Sequence, residues 1–303
     1  MTIKNHKIEV ETRKLFHGIH SKHLKNQKSL IRLQKLIDTK RFGVKNNFFE
    51  NKICLDAGCG SSYHGSINLI NLGAKKVIGM DLDATILKNL KNLKKILKKN
   101  ISKLDIKIGS VLKIPFKKEF FDFVLCQGVI HHTTNPKLGF KECYRVLKKG
   151  GHAYFQINGK GGLVNEFVMT YLRDYYLKDK EFKKFVDTAD QKKIQKYLLY
   201  IKKNLVIKNK YSNSLLNSLT KLIDEDLILS LKDRICSPIY EKYSYPDLEK
   251  ELKKIGFKKI KRIFTNVKYE NLRNIFTHFY RNPNLKESKF LYGSGLINVL
   301  VQK

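Results

Sequence analysis

From Lys52 to Ile157 short apolar runs of strand length alternate with stretches of helical periodicity, and this rhythm limits the chain to one kind of core. Strands are expected at Ile53–Asp56, Lys76–Met80, Asp105–Ile108, Phe121–Gln127 and His152–Ile157. Helices are expected at Ser66–Leu72, Ala84–Leu97 and Pro136–Leu147. Parallel strands need crossover connections, usually helices, so this alternation predicts an α/β fold with a mostly parallel sheet and helices on both faces. Gly73, Gly109 and Gly150–Gly151 punctuate the pattern where turns are needed.

The most informative segment is Ile53-Cys54-Leu55-Asp56-Ala57-Gly58-Cys59-Gly60-Ser61-Ser62-Tyr63-His64-Gly65. It follows a buried strand and opens a helix. Glycines there allow a tight turn and a close approach of ligand to backbone. A dinucleotide site sets pyrophosphate against the helix N-terminus and is built for anions. Asp56, at the strand end, suits a cationic ligand group better. The second strand, Val77-Ile78-Gly79-Met80-Asp81, ends in an acid about 20 residues after the loop, where a carboxylate can grip both ribose hydroxyls. The alternative is that Asp81 or Asp83 caps the next helix; Asp83 is the better placed for that, which leaves Asp81 for a ligand.

The block Leu55-Asp56-Ala57-Gly58-Cys59-Gly60 resembles the first motif of the class I S-adenosylmethionine methyltransferases, in a branch similar to the methyltransferase type 11 group. Four further blocks follow in that family's order: Val77–Asp81, Gly109–Phe116, Phe121–His132 and Glu142–Gly151. The resemblance covers Lys52 to Ile157. It implies S-adenosylmethionine as cofactor, with Asp56, Gly58 and Gly60 at the methionine part, Asp81 at the ribose, Ser110 and Val111 at the adenine edge, and Gln127 on the floor near the methionine end. Two departures stand out. The family often has its third loop glycine at the position of Ser62, whereas here Gly65 comes later. It often has Asp where this chain has the shorter, neutral Ser110. Within the family the nearest subgroup acts on small molecules such as quinones and sugars.

After Asn158 the rhythm breaks. Gly159, Gly161 and Gly162 lead into a Lys-rich helical region that extends to about Leu231 without internal repeats. The sheet pattern then resumes, with a helix at Tyr245–Ile255, a strand at Lys258–Asn266 and a closing strand at Gly295–Gln302; Lys268 to Phe290 shows no clear pattern. Before the core, about Glu11 to Arg41 reads as one or two basic amphipathic helices on Leu15, Phe16, Ile19, Leu24, Leu30, Leu33 and Ile37. These either cover a substrate or pack on the sheet edge. The expected organisation is a helical cap over 1–45, a Rossmann-like cofactor-binding core over 46–158, an inserted helical lid over 159–235, and completion of a seven-stranded sheet over 236–303.

Methyl transfer from a sulfonium is an in-line displacement, accelerated largely by holding the nucleophile against the methyl group. An alcohol, phenol or amine can also need a base. His131 and His132 follow the fourth strand at the ligand-binding edge, and one of them is a candidate base; the other reading is that the pair is loop structure, with one ring packed and hydrogen-bonded. Tyr63 and His64 are further candidates. Tyr240 and Tyr243, in the connector from Arg234 to Pro246, are candidates for the acceptor pocket, which that connector's resemblance to the return of an inserted lid implies; a rigid amphipathic link is the other reading. No metal site is expected, because Cys54, Cys59, Cys126, Cys143 and Cys236 form neither a CxxC pair nor a zinc-spaced cluster with His. Their scatter suits a reducing cytoplasm.

The formal charge is +34, from 61 Lys and Arg against 27 Asp and Glu. Such a balance draws phosphate, as nucleic acid or anionic lipid. Yet the basic residues are mostly Lys and are spread over ordinary helix faces such as Lys88 to Lys99, the pattern of compositional drift. The Asn/Asp-Pro-Pro-aromatic block of amino-directed nucleic-acid methyltransferases is absent after strand four, where Cys126-Gln127-Gly128-Val129 stands, and so are a Pro-Cys pair and the paired-Glu loop of protein arginine methyltransferases. No apolar run reaches the roughly 18 residues of a membrane span, and Met1 to Phe16 lacks the apolar core of a signal peptide. The expected function is methyl transfer to a small-molecule acceptor under a helical lid. The alternatives are an RNA- or protein-modifying enzyme that uses its basic surface, and a cofactor-binding module without catalysis. Oligomeric state is not legible.

Overall fold

A computed structural model describes residues 3–25, 31–33, 35–204, 209–264 and 270–303. Seven strands form one sheet: β1 Ile53–Ala57, β2 Lys76–Asp81, β3 Leu104–Ile108, β4 Phe121–Gln127, β5 Leu147–Asn158, β6 Lys258–Arg262 and β7 Leu296–Gln302. Their order is β3-β2-β1-β4-β5-β7-β6. β1 to β5 run parallel, whereas β7 is antiparallel to both β5 and β6. The expected Rossmann-like α/β class is therefore the observed one. The order reverses between β1 and β4, and the loops after these strands open the crevice in which such sheets bind ligands.

Strand periodicity divides the core. Ala153, Phe155 and Ile157 of β5 and Ile297, Val299 and Val301 of β7 face one cluster; Tyr154 and Leu300 face the other. Each residue alternates sides because successive strand side chains do. Full burial of one such apolar side chain stabilises by about 1.5–3 kcal/mol, so this half of the fold is set by many small, mutually consistent terms.

Several expected elements have different limits. The run Ala84–Leu97 is a 3-10 turn, Ala84–Asn89, followed by an α-helix, Leu90–Leu97. Asp83 caps the turn, accepting the Thr85 N–H at 3.0 Å. β5 extends back through Gly150–Gly151, the expected turn, because the chain end pairs with it: Gly150 N–H donates to Lys303 O and Lys303 N–H to Gly151 O. β6 stops at Arg262; Asn266 and Lys268 lie outside the described residues. The unpatterned stretch after them holds a 3-10 turn, Leu272–Phe276, and helices Thr277–Arg281 and Lys286–Tyr292.

Between β5 and β6 the chain is helical. Helices Lys180–Thr188, Gln191–Lys203, Lys210–Leu222 and Glu225–Cys236 each start at an Asp or Asn whose side chain accepts a backbone N–H: Asp179, Asp190, Asn209 and Asp224. At the N-terminus one helix covers Ile3–Lys25. Leu30, one of the apolar positions expected to order this region, lies outside the described residues. Lys22 pairs with Glu225 at 2.8 Å and Arg32 with Asp226 at 2.6 Å, so the N-terminal segment and the inserted helices meet above the sheet edge. Among the described residues no helix is long and apolar enough to cross a membrane.

Candidate active site

The loop after β1 hangs from the end of β2. Gly58 and Cys59 N–H both donate to Met80 O, at 2.7 and 3.0 Å. Gly60 N–H donates to Asp81 Oδ2 at 2.8 Å, and Asp83 N–H to Asp81 Oδ1 at 2.9 Å. Gly58 has φ +83°, and a Cβ there would stand 2.4 Å from Val129 Cγ2, so only glycine fits. Gly65 is needed for packing rather than for a turn, since a Cβ there would meet Leu125 at 2.6 Å and Asp56 Oδ2 at 2.8 Å. It lets helix His64–Asn71 lie directly on the strands, which accounts for a glycine later in the loop than expected.

A cleft enclosing about 980 Å³ brings together Gly58, Gly60, Asp81, Ser110, Val111 and Gln127, along with His132 and His64. Thr12, Arg13, Phe16, His17 and His20 of the N-terminal helix form its other wall. His17 Nδ1 stands 2.9 Å from Asp83 Oδ2. Burial works against the charge on Asp83, but hydrogen bonds from Thr85 and the neighbouring His17 outweigh it and hold Asp83 below the usual carboxylate range. Ser110 Oγ accepts the Leu112 N–H at 3.1 Å, fixing the turn that presents Val111.

Asp56 is the first correction. It is 3% exposed, does not line the cleft, and accepts the Ser66 hydroxyl at 2.7 Å. Burial pushes its carboxyl up to about 7, against the hydrogen bonds from Ser66, and the charge of Asp81 adds to the rise. Its place is beneath the glycine loop. Tyr63 is buried as well, with its hydroxyl donating to Ile86 O at 2.9 Å.

The histidines occupy a 3-10 turn, Ile130–His132. His132 is held on every side. Its Nδ1 lies 2.9 Å from both Ile239 O and Ser237 Oγ, and its Nε2 lies 3.4 Å from Asp233 Oδ1. Phe16 and His131 lie against its ring, at 4.6 and 4.1 Å between centroids. Burial opposes the charge of Asp233, yet His132 and Arg234 hold that carboxyl down to about 2. His131 differs. It is 2% exposed, and its Nδ1 has no hydrogen-bond partner. Burial, and then the neighbouring His132, hold its pKa well below the ordinary value, so it is neutral.

A second cavity, half-open and of about 950 Å³, adjoins the first; Phe16, His20, His64, Gln127 and Gly128 line both. His131 and Asn158 face it, together with Asp233 and Arg234 from the inserted helices. Gln127 Oε1 is buried at the junction without a partner, as is Asn158 Nδ2 on the cavity wall. Tyr240 and Tyr243 are a further correction, since neither lines either cavity. Tyr240 sits behind the histidines, its ring 5.5 Å from that of His132. Tyr243 packs on Phe140 at 6.2 Å, and its backbone bridges to Gly159, so it belongs to a seam. Asp233 and Arg234 carry no signal in the sequence, because they meet the histidines only through tertiary packing. For the N-terminal helix, the apolar spacing of Phe16 and Ile19 is the single signal of a covering role.

Residues 55–155 match the family model of a methyltransferase domain. A tRNA U34 carboxymethyltransferase from Campylobacter hominis is 30% identical over 105 residues, 35% of each chain. A Mycolicibacterium smegmatis protein described as an S-adenosylmethionine-dependent methyltransferase is 31% identical over 97 residues, 32% of this chain and 34% of its own. The chain thus spans about a third of the length of the curated relatives it matches. In fold it resembles a Galdieria sulphuraria protein described as a candidate sarcosine dimethylglycine methyltransferase, with TM-score 0.50, 12% identity, and coverage of 90% of this chain and 86% of the other. It equally resembles the cyclase SpnF, with TM-score 0.50, 11% identity, and coverage of 91% and 82%. Residues 55–155, which carry the glycine loop and the ribose-side acid, thus form a stretch that matches a methyltransferase domain.

Proposed function

We propose that the protein transfers a methyl group from S-adenosylmethionine to a small molecule held in the second cavity, beneath the inserted helices acting as a lid. One observation carries this reading: Gln127, at the end of β4, lines both the cleft of the glycine loop and the cavity beside it. The cofactor would supply an electrophilic methyl group on sulfur. Gly58 and Gly60 let it lie against the loop backbone. Asp81, whose oxygens already fix the loop through Gly60 and the next turn through Asp83, accepts the ribose hydroxyls with its remaining lone pairs. Ser110 and Val111 edge the adenine. Gln127 Oε1 accepts a hydrogen bond at the junction. His131, neutral and unpartnered at Nδ1, accepts the proton of an acceptor hydroxyl or amine.

Calorimetry tests the cofactor assignment. S-adenosylhomocysteine should bind and NAD should not. Hydrogen bonds to a charged group are worth about 1.5–3 kcal/mol, so Asp81→Ala should weaken Kd roughly tenfold to a hundredfold. Unchanged affinity in a folded variant removes Asp81 from the site.

An RNA acceptor is the second reading, favoured by the +34 charge and by relatives that modify tRNA. Those relatives match about a third of the chain, and the cavity proposed for the acceptor draws Ile19, Leu229, Asp233 and Arg234 from outside residues 55–155. RNA binding driven by counterion release weakens steeply with salt. Tight binding of one tRNA at about 0.15 M salt would replace the small-molecule reading, since specific complexes persist there.

A further inference from the structure

We infer that the acceptor is amphipathic, with a polar reactive head in the cavity beside Gln127 and an apolar tail in a third chamber beyond it. The inference rests on the methyl-transfer reading and names the substrate class of that same site. The third chamber is a half-open pocket of about 1320 Å³ and shares Ser230, Arg234, Arg273 and Leu296 with the second. Cofactor cleft, inner cavity and outer chamber therefore adjoin one another in sequence.

Both acceptor spaces have mainly apolar walls, and they differ in how many buried polar atoms they leave unsatisfied. Unpartnered buried polar atoms gather in the inner one: Gln127 Oε1, His131 Nδ1 and Asn158 Nδ2, the last two on residues 2% and 4% exposed, whereas Ser288 Oγ is such an atom on the outer wall. Such groups cost free energy unless a ligand or water satisfies them, and together they offer a polar head both donors and acceptors. The outer chamber is walled by Val164, Val168, Leu227, Phe276, Phe279 and Tyr292. Its charged neighbours are engaged with the protein. Arg262 donates to Ser294 O at 2.8 Å and lies over Phe264, Arg234 donates to Ser230 O at 2.7 Å, and Arg273 pairs with Asp226. An apolar tail fits such walls, and a wall without partner atoms forfeits dispersion contacts. Every one of these wall residues lies outside the matched domain at 55–155, in the part of the chain free to set specificity.

The test uses the full chain and a series of 4-alkylphenols from ethyl to heptyl, titrated calorimetrically with and without S-adenosylhomocysteine. Each added methylene should tighten Kd about fourfold, the worth of burying one CH₂. Val164→Trp and Leu227→Trp, which fill the chamber from opposite elements, should each flatten the series while S-adenosylhomocysteine affinity stays at the wild-type level. Affinity that ignores chain length overturns the proposal. So does a chain-length gain that both folded variants keep, since the tail then binds elsewhere. If S-adenosylhomocysteine itself fails to bind, the methyl-transfer reading falls, and the alkylphenol series without it still judges the chamber.

Discussion

Between Phe121 and Ile157 the chain hides its apolar side chains almost completely, whereas the helices Gln191–Lys203 and Lys210–Leu222 bury no residue. Both regions are rich in aromatic and aliphatic residues. In the first, Phe123, Leu125 and Phe155 are wholly buried; in the second, Tyr197, Tyr200 and Tyr211 are 54%, 66% and 77% exposed. The sheet half draws its stability from internal packing. The two inserted helices depend on caps and on contact with one another. The cleft of the glycine loop is built at the ends of strands of this same sheet, where packing fixes the geometry a cofactor needs.

The largest expected effect lies beneath the glycine loop. Asp56 is raised to about 7 in the fold, against about 3.9 in an unfolded chain. Between these values the folded state holds the extra proton. Its stabilising effect is complete below about pH 4 and is lost as pH rises through about 7, a change of roughly 4 kcal/mol. Wild-type melting temperature should therefore fall between pH 5 and 8 more than that of Asp56→Asn. Because Asp56 does not line the cleft, the variant should bind S-adenosylhomocysteine within about twofold of wild type, in contrast to Asp81→Ala. Equal pH profiles, or equal losses of affinity, would erase the distinction between the two acids.

Next comes the histidine pair. His131→Ala should lower kcat about a hundredfold, the lower range for a general base, with cofactor affinity and melting temperature little changed. His132→Ala removes a ring bonded to Ile239 and Ser237, and should instead destabilise by about 1–3 kcal/mol. A reversed pattern of turnover and melting would exchange the two roles. The smallest effect belongs to the exposed helices: Leu198→Ala should cost at most about 1 kcal/mol in chemical unfolding, where a core change such as Leu125→Ala costs about 2–5 kcal/mol. A core-sized loss at Leu198 would mean that these helices are packed as tightly as the sheet.

The parallel sheet is legible because strand alternation, glycine turns and a matching order of motifs all act locally, within a few residues of one another. The same holds for Asp83: an acid directly before a helical turn can accept that turn's first free N–H groups, and Asp83 does. Asp81 faces the cleft for a related reason, since the end of a parallel strand points to the ligand edge. Asp56 shows the limit. Its burial and its partner come from Gly65 and Ser66 of the next helix, contacts that no single spacing specifies. What divides His131 from His132 is likewise tertiary, because Asp233, Ser237 and Ile239 arrive from a segment about 100 positions away. Composition points to the tyrosines of the connector, yet packing against Phe140 and the histidine rings turns them from the cavities. Sequence alone determined the sheet and the donor side of the site, where backbone geometry dictates the residue types. Only the tertiary structure decided which side chains wall the acceptor space, because those walls are contacts between elements far apart in the chain.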